Sequence, residues 1–131
     1  MARVAKSLNR AFEAALAEAG GSVPTWLVLL SLKSGRWETQ RELAEAVGIK
    51  GATLTHHLDG MERAGLVARS RDLANRRIQR VELTAEGHAA FDRLRKVAIA
   101  FDRRLRAEIT EAELAEAREV LERLALNASR Q

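Results

Sequence analysis

Apolar residues recur at helical spacing over the first twenty positions. Val4, Leu8, Ala11, Phe12, Ala15, Leu16 and Ala19 share one side, with Arg3, Lys6, Arg10 and Glu13 elsewhere. This period predicts an amphipathic helix, stopped at Gly20 and Gly21. A second helix is predicted to open near Pro24, where a missing N–H costs nothing. Trp26, Leu27, Leu29, Leu30 and Leu32 make it apolar almost all round, so its place is central. Thr39 and Glu42 have capping-box spacing, and the short helix behind them turns Leu43, Ala44 and Val47 inward before Gly48. After a tight turn at Gly48, Ile49 and Lys50, a further helix runs from 51 to about Ala64 and closes at Gly65. Two helices joined by a short glycine-bearing turn form the helix-turn-helix pattern.

The period then changes. Leu66 to Arg69, and Ile78 to Leu83 with Val81 and Leu83 alternating against Arg80 and Glu82, read as two strands around a polar turn from Asp72 to Asn75. Thr84 to Gly87 begins a long helix carrying Phe91, Leu94, Val97, Ala98, Phe101 and Leu105. A second capping box, Thr110 to Glu113, opens the last helix, with Leu114, Ala117, Leu121, Leu124 and Ala125. The expected fold is mostly α with a small β-hairpin wing, a winged helix-turn-helix flanked by N- and C-terminal dimerisation helices. At 131 residues one domain is expected over 1–131. Within it, 1–21 and 85–131 would be dimerisation helices and 36–84 the DNA-binding winged helix-turn-helix. The terminal apolar stripes are broader than one small domain needs, which predicts a homodimer. The other reading of those stripes is packing on their own domain.

Composition narrows the chemistry. The chain has no cysteine, which removes disulfides, zinc thiolates and thiol switches together. His56, His57 and His88 show no metal-ligand spacing, and adjacent histidines on a helix point ~100° apart. Neither a phosphate-binding glycine loop nor a nucleophile elbow is present. No catalytic residue, metal or cofactor is therefore expected. Apolar runs fall well short of the ~20 residues of a membrane span, and no signal-peptide core opens the chain. A cytoplasmic protein without a membrane partner is expected.

Charge adds a partner. Residues 67–80 hold Arg69, Arg71, Arg76, Arg77 and Arg80 against Asp72, a net of 5 − 1 = +4, which equals the net charge of the whole chain. Such a concentration is the footprint expected for a polyanion. On a helical wheel of 51–64, Leu54, Leu58 and Met61 form the packing face. Ala52, Thr53, Thr55, His56, Asp59 and Arg63 point away from it, and His57 lies at the edge. Hydroxyls, a threonine methyl and an imidazole suit base edges and phosphates in a major groove. Thr53, Thr55, His56, Arg76 and Arg77, with Lys50 and Arg71, are the expected DNA contacts.

Four fragments occur in order at set spacing: Gly65 to Val67, Arg69 to Asp72, Asn75 to Arg77, and Leu83 to Gly87. In these the chain resembles the MarR family (multiple antibiotic resistance regulators), and the likeness extends from the Trp26 region to the last helix. The resemblance implies a transcription regulator, expected to be a repressor, on a pseudo-palindromic double-stranded DNA operator, with Arg77 inserted in the minor groove. It also implies a small aromatic or phenolic effector between the reader and the dimer helices. The candidate lining residues are Phe12, Trp26, Trp37 and Phe91, with His88 and Arg95 beside them. Two positions depart from the family pattern. Asn75 stands where a second wing aspartate is usual, and Ala52 where a serine commonly opens the recognition helix. The rival reading is a winged-helix protein–protein module, against which the wing arginines argue.

Overall fold

The computed structural model describes residues 1–35, 39–75 and 78–130. Its elements follow the predicted order: α1 (Ala2–Glu18), α2 (Val23–Lys33), α3 (Gln40–Val47), α4 (Gly51–Arg63), β1 (Val67–Arg71), β2 (Gln79–Leu83), α5 (Ala85–Leu105) and α6 (Glu111–Ser129). Local chemistry accounts for the ends. Ser22 caps α2 by accepting from the Thr25 N–H, with Pro24 in the first turn. Thr39 caps α3 by accepting from the Glu42 N–H at 3.2 Å. Thr110 and Glu113 form the complete capping box of α6.

The chain forms two compact units, 1–99 and 100–131, divided within α5. The first holds the winged helix. Leu16, Trp26, Val28, Leu29, Leu43, Leu54, Leu58, Met61, Val67, Val81, Ala90, Phe91 and Leu94 make one buried cluster. Helix α2 lies centrally as expected, packed against α1, α3, α4 and β2. β1 and β2 pair antiparallel, with Val67 opposite Leu83, Arg69 opposite Val81 and Arg71 opposite Gln79. The outer half of α1 leaves Val4 and Leu8 exposed. In the second unit, α6 buries none of its residues, and Leu121, Leu124 and Leu126 are exposed. Leu16 and Phe101, on the apolar stripes of α1 and α5, are buried within the single chain. No single described helix is long and apolar enough to cross a membrane.

Candidate nucleic-acid interface

The helix-turn-helix is shaped by backbone geometry at its turn. Gly48 adopts φ +78°, the left-handed region that glycine enters without a Cβ penalty, and its N–H donates to the Ala44 carbonyl at 2.9 Å. The chain thereby leaves α3 sharply and starts α4 at Gly51. Lys50 is the N-cap of α4 and supplies no side-chain cap. Ala52 beyond it is exposed, and the first N–H groups of any helix lack intrahelical partners, a favourable end for an anion.

Leu54, Leu58 and Met61 are buried, so the wheel placed the packing face correctly. Thr53 and His56 are exposed on the opposite side, and Lys50 stands exposed at the start of the helix. Thr55 differs. It is half-buried, its hydroxyl donates to the Gly51 carbonyl at 2.9 Å, and it accepts from Gln40 Nε2 at 2.6 Å. That bridge ties the start of α3 to the first turn of α4, so the Thr55 hydroxyl already has both a donor and an acceptor within the protein.

The arginines of 67–80 divide in the same way. Arg69 is 13% exposed and meets Asp59 and Glu62 of α4, so Asp59 is not a free member of the outward face. The Arg69 hydrogen bonds hold the Glu62 carboxyl below its ordinary range, and the two carboxylates raise the Arg69 guanidinium. Arg80 donates to Asp72 Oδ2 at 2.7 Å. Asp72 Oδ1 accepts from the Ala74 and Asn75 N–H groups, at 2.7 and 3.3 Å. These turn amides, the Ala74 N–H foremost, and then Arg80 hold the Asp72 carboxyl below its ordinary value. One aspartate thus braces the wing turn where the second is replaced by Asn75. Arg71 is exposed at the end of β1. Arg76 and Arg77 lie outside the described residues.

The net charge of +4 counted along the segment therefore overstates what the wing presents, because Arg69 is balanced by carboxylates from another element. Sequence pattern alone does not single out Gln40, Asp59 and Glu62. Their partners lie seven to fifteen residues away, across turns, and no periodicity joins such positions.

Of the expected effector-lining residues, Trp26 and Phe91 are buried and stacked on each other, ring centroids 5.5 Å apart and planes at 13°. Phe12 is half-buried against the same core, and Trp37 lies outside the described residues. A cavity of about 390 Å³ opens elsewhere, lined by Leu32, Lys33, Arg80, Glu82, Leu83 and His88 among others. There Lys33 Nζ lies 3.0 Å from His88 Nδ1. His88 thus reaches a cavity, whereas Trp26 and Phe91 close on each other. Arg95 is exposed on α5.

The chain has relatives in sequence and in fold. Residues 22–79 match the model of the MarR family. The chain is 30% identical over 122 residues to the HTH-type transcriptional repressor Rv2887 of Mycobacterium tuberculosis, covering 93% of this chain and 88% of that protein. Among solved structures, the transcriptional regulator PA3341 superposes with a TM-score of 0.81 at 33% identity, over 99% of this chain and 96% of that one. The Mycobacterium tuberculosis transcriptional regulator MOSR, solved in complex with DNA, gives 0.77 at 26% identity, over 98% and 94%.

Proposed function

This chain belongs to the MarR family of transcription regulators, and from that premise we propose that it is a homodimeric, sequence-specific DNA-binding repressor acting in the cytoplasm, a binder and not an enzyme. The observation that carries the reading is the exposed N-terminal face of α4, with Lys50, Thr53 and His56, set beside a hairpin whose first strand ends at the exposed Arg71. In this reading α4 enters a major groove, Thr53 and His56 meet base edges, and Lys50, Arg71, Arg76 and Arg77 serve the phosphates and the minor groove. Thr55 contributes by holding the helix in place. The similarity to a protein described as a transcriptional repressor, and to a regulator solved with DNA, supports both the partner and the sign of regulation.

Selection of bound sequences from random duplex DNA is the direct test, and it should return two half-sites related by a dyad. Their centres should lie about one helical turn, ~34–36 Å, apart, or a multiple of it. Inserting about five base pairs between them should abolish specific binding, because one reader would then face the wrong side. Indifference to the insertion would remove the two-fold reader. Retention of partner proteins but of no duplex would favour the protein–protein module.

Release by a small aromatic or phenolic effector completes the reading. A ligand entering beside Trp26 would have to part the Trp26–Phe91 stack, so tryptophan fluorescence and operator affinity should change together. Linkage requires one coupling free energy behind both, typically ~1–3 kcal/mol. A broad panel of aromatic acids that moves neither signal would remove the effector.

A further inference from the structure

Arg69 sits in the middle of β1, yet its side chain turns back toward α4. Its Nη2 donates to Asp59 Oδ1 at 2.5 Å and to Glu62 Oε1 at 3.2 Å. Its Nε donates to Glu62 Oε2 at 3.4 Å, and its backbone N–H reaches the same oxygen at 3.2 Å. Two carboxylates one helical turn apart thus grip one strand residue by both main chain and side chain.

We propose that Arg69, Asp59 and Glu62 form a clamp that positions the wing against the recognition helix. Arg69 then acts as a positioning residue and not as a phosphate contact. The proposal rests on the DNA-binding reading of α4 and the wing. A two-stranded hairpin has little stability of its own and takes its orientation from what it packs on. Here the apolar anchors Val67 and Val81 are buried at the base. Arg69 lies directly opposite Val81, and past that rung no described residue of the hairpin is fully buried. The clamp therefore ties β1 to α4 through side chains beside the buried apolar base. With ~3.3 Å of rise per strand residue, a small tilt at Arg69 grows into several ångströms at the tip. Arginine suits the task because its planar fork serves several acceptors at once, whereas a lysine ammonium is a compact point charge.

The clamp makes a prediction whose sign opposes simple electrostatics. Removing a carboxylate from a surface that meets a polyanion should tighten binding if charge alone counted. Under the clamp, Glu62→Gln weakens it. The duplex to use is the one selected by the wild-type protein, with a mixed-sequence duplex as control. Glu62→Gln and Arg69→Lys should each lower affinity for the selected duplex by about tenfold, the scale of a lost charge-assisted hydrogen bond. The salt slope should stay unchanged, and affinity for the mixed duplex should hold or rise. Wild-type or tighter binding of the selected duplex by Glu62→Gln overturns the clamp. So does a fall in salt slope of about 0.9 per lost contact in Arg69→Gln, which would mark a phosphate ligand.

Hydrogen exchange on the free protein provides a second test that needs no DNA. Both variants should speed exchange of the β1 and β2 amides while the α5 amides of 85–99 keep their protection. Uniform acceleration would mean general destabilisation, and unchanged β1 protection would mean no clamp. Either result overturns the proposal. If the wild-type chain bound no duplex at all, the DNA-binding reading would fall, and exchange would still decide whether the hairpin is held this way.

Discussion

Thr53 and Thr55 differ by two positions on α4, yet their hydroxyls have different surroundings. The Thr55 hydroxyl closes a bridge from Gln40 to the Gly51 carbonyl, whereas Thr53 stands exposed. Thr55→Val keeps the shape and removes the bridge, leaving the Gln40 amide without its acceptor. It should cost about 1–3 kcal/mol in a denaturant titration. Thr53→Ala should leave that midpoint almost unmoved and lower specific affinity by roughly 1–3 kcal/mol. Equal stability of the two variants would mean that the bridge carries no weight. Acid titration probes the same scale. Glu62 and Asp72 have carboxyls held below their ordinary values of 4.5 and 3.8. A depressed carboxylate adds stability that is fully present above its ordinary value and is lost as pH falls through the lower, folded one. Wild-type stability should therefore fall more steeply toward pH ~3 than that of Glu62→Gln or Asp72→Asn, because those variants have no such proton to take up. Parallel curves would contradict the pairings.

At the scale of elements, the start of α5 shows why a short motif recurs at one place in the chain. The Thr84 hydroxyl donates to the Gly65 carbonyl and accepts from the Gly87 N–H, joining the end of α4 to the first turn of α5. A Cβ on Gly87 would fall 2.0 Å from the Leu66 carbonyl oxygen, a backbone atom that cannot swing aside. Gly87→Ala should therefore destabilise by about 1–3 kcal/mol or more, since relief requires moving a helix off the hairpin entry. Gly51→Ala is the natural control. Nothing lies within 4 Å of its Cβ and its φ is not in the left-handed region. It should be neutral or stabilising by ~0.4–1 kcal/mol. Thermal melts of both decide it, and a harmless Gly87→Ala would refute the close approach.

For the whole molecule, the question is what covers the exposed leucines. The outer part of α1 leaves Val4 61% and Leu8 43% exposed, and α6 leaves Leu121 56% and Leu124 43% exposed. A second copy is the expected cover, and light scattering should give about twice the 14.5 kDa chain mass. Leu121→Glu combined with Leu124→Glu should shift that mass to the monomer and abolish binding to the two-half-site duplex, since a lone reader engages only one half. A monomeric wild-type chain would place those stripes in some other contact.

Much of the architecture was legible in the residue order because the signals are local. A period of three and four, a capping threonine, a helix-ending glycine and an alternation around a polar turn each act within a few residues, and so all eight elements appear in the expected order. The packing face of α4 was equally legible, since Leu54, Leu58 and Met61 share one stripe. What the order could not reveal was which polar groups meet. Arg69 counts as positive charge along the chain, and only the fold brings Asp59 and Glu62 to it. Trp26 and Phe91 were expected beside a ligand, and only packing shows them stacked in the core. Secondary structure is encoded by neighbours in sequence, whereas the state of a charge or a ring depends on its neighbours in space. Those neighbours exist only once helices and hairpin have docked.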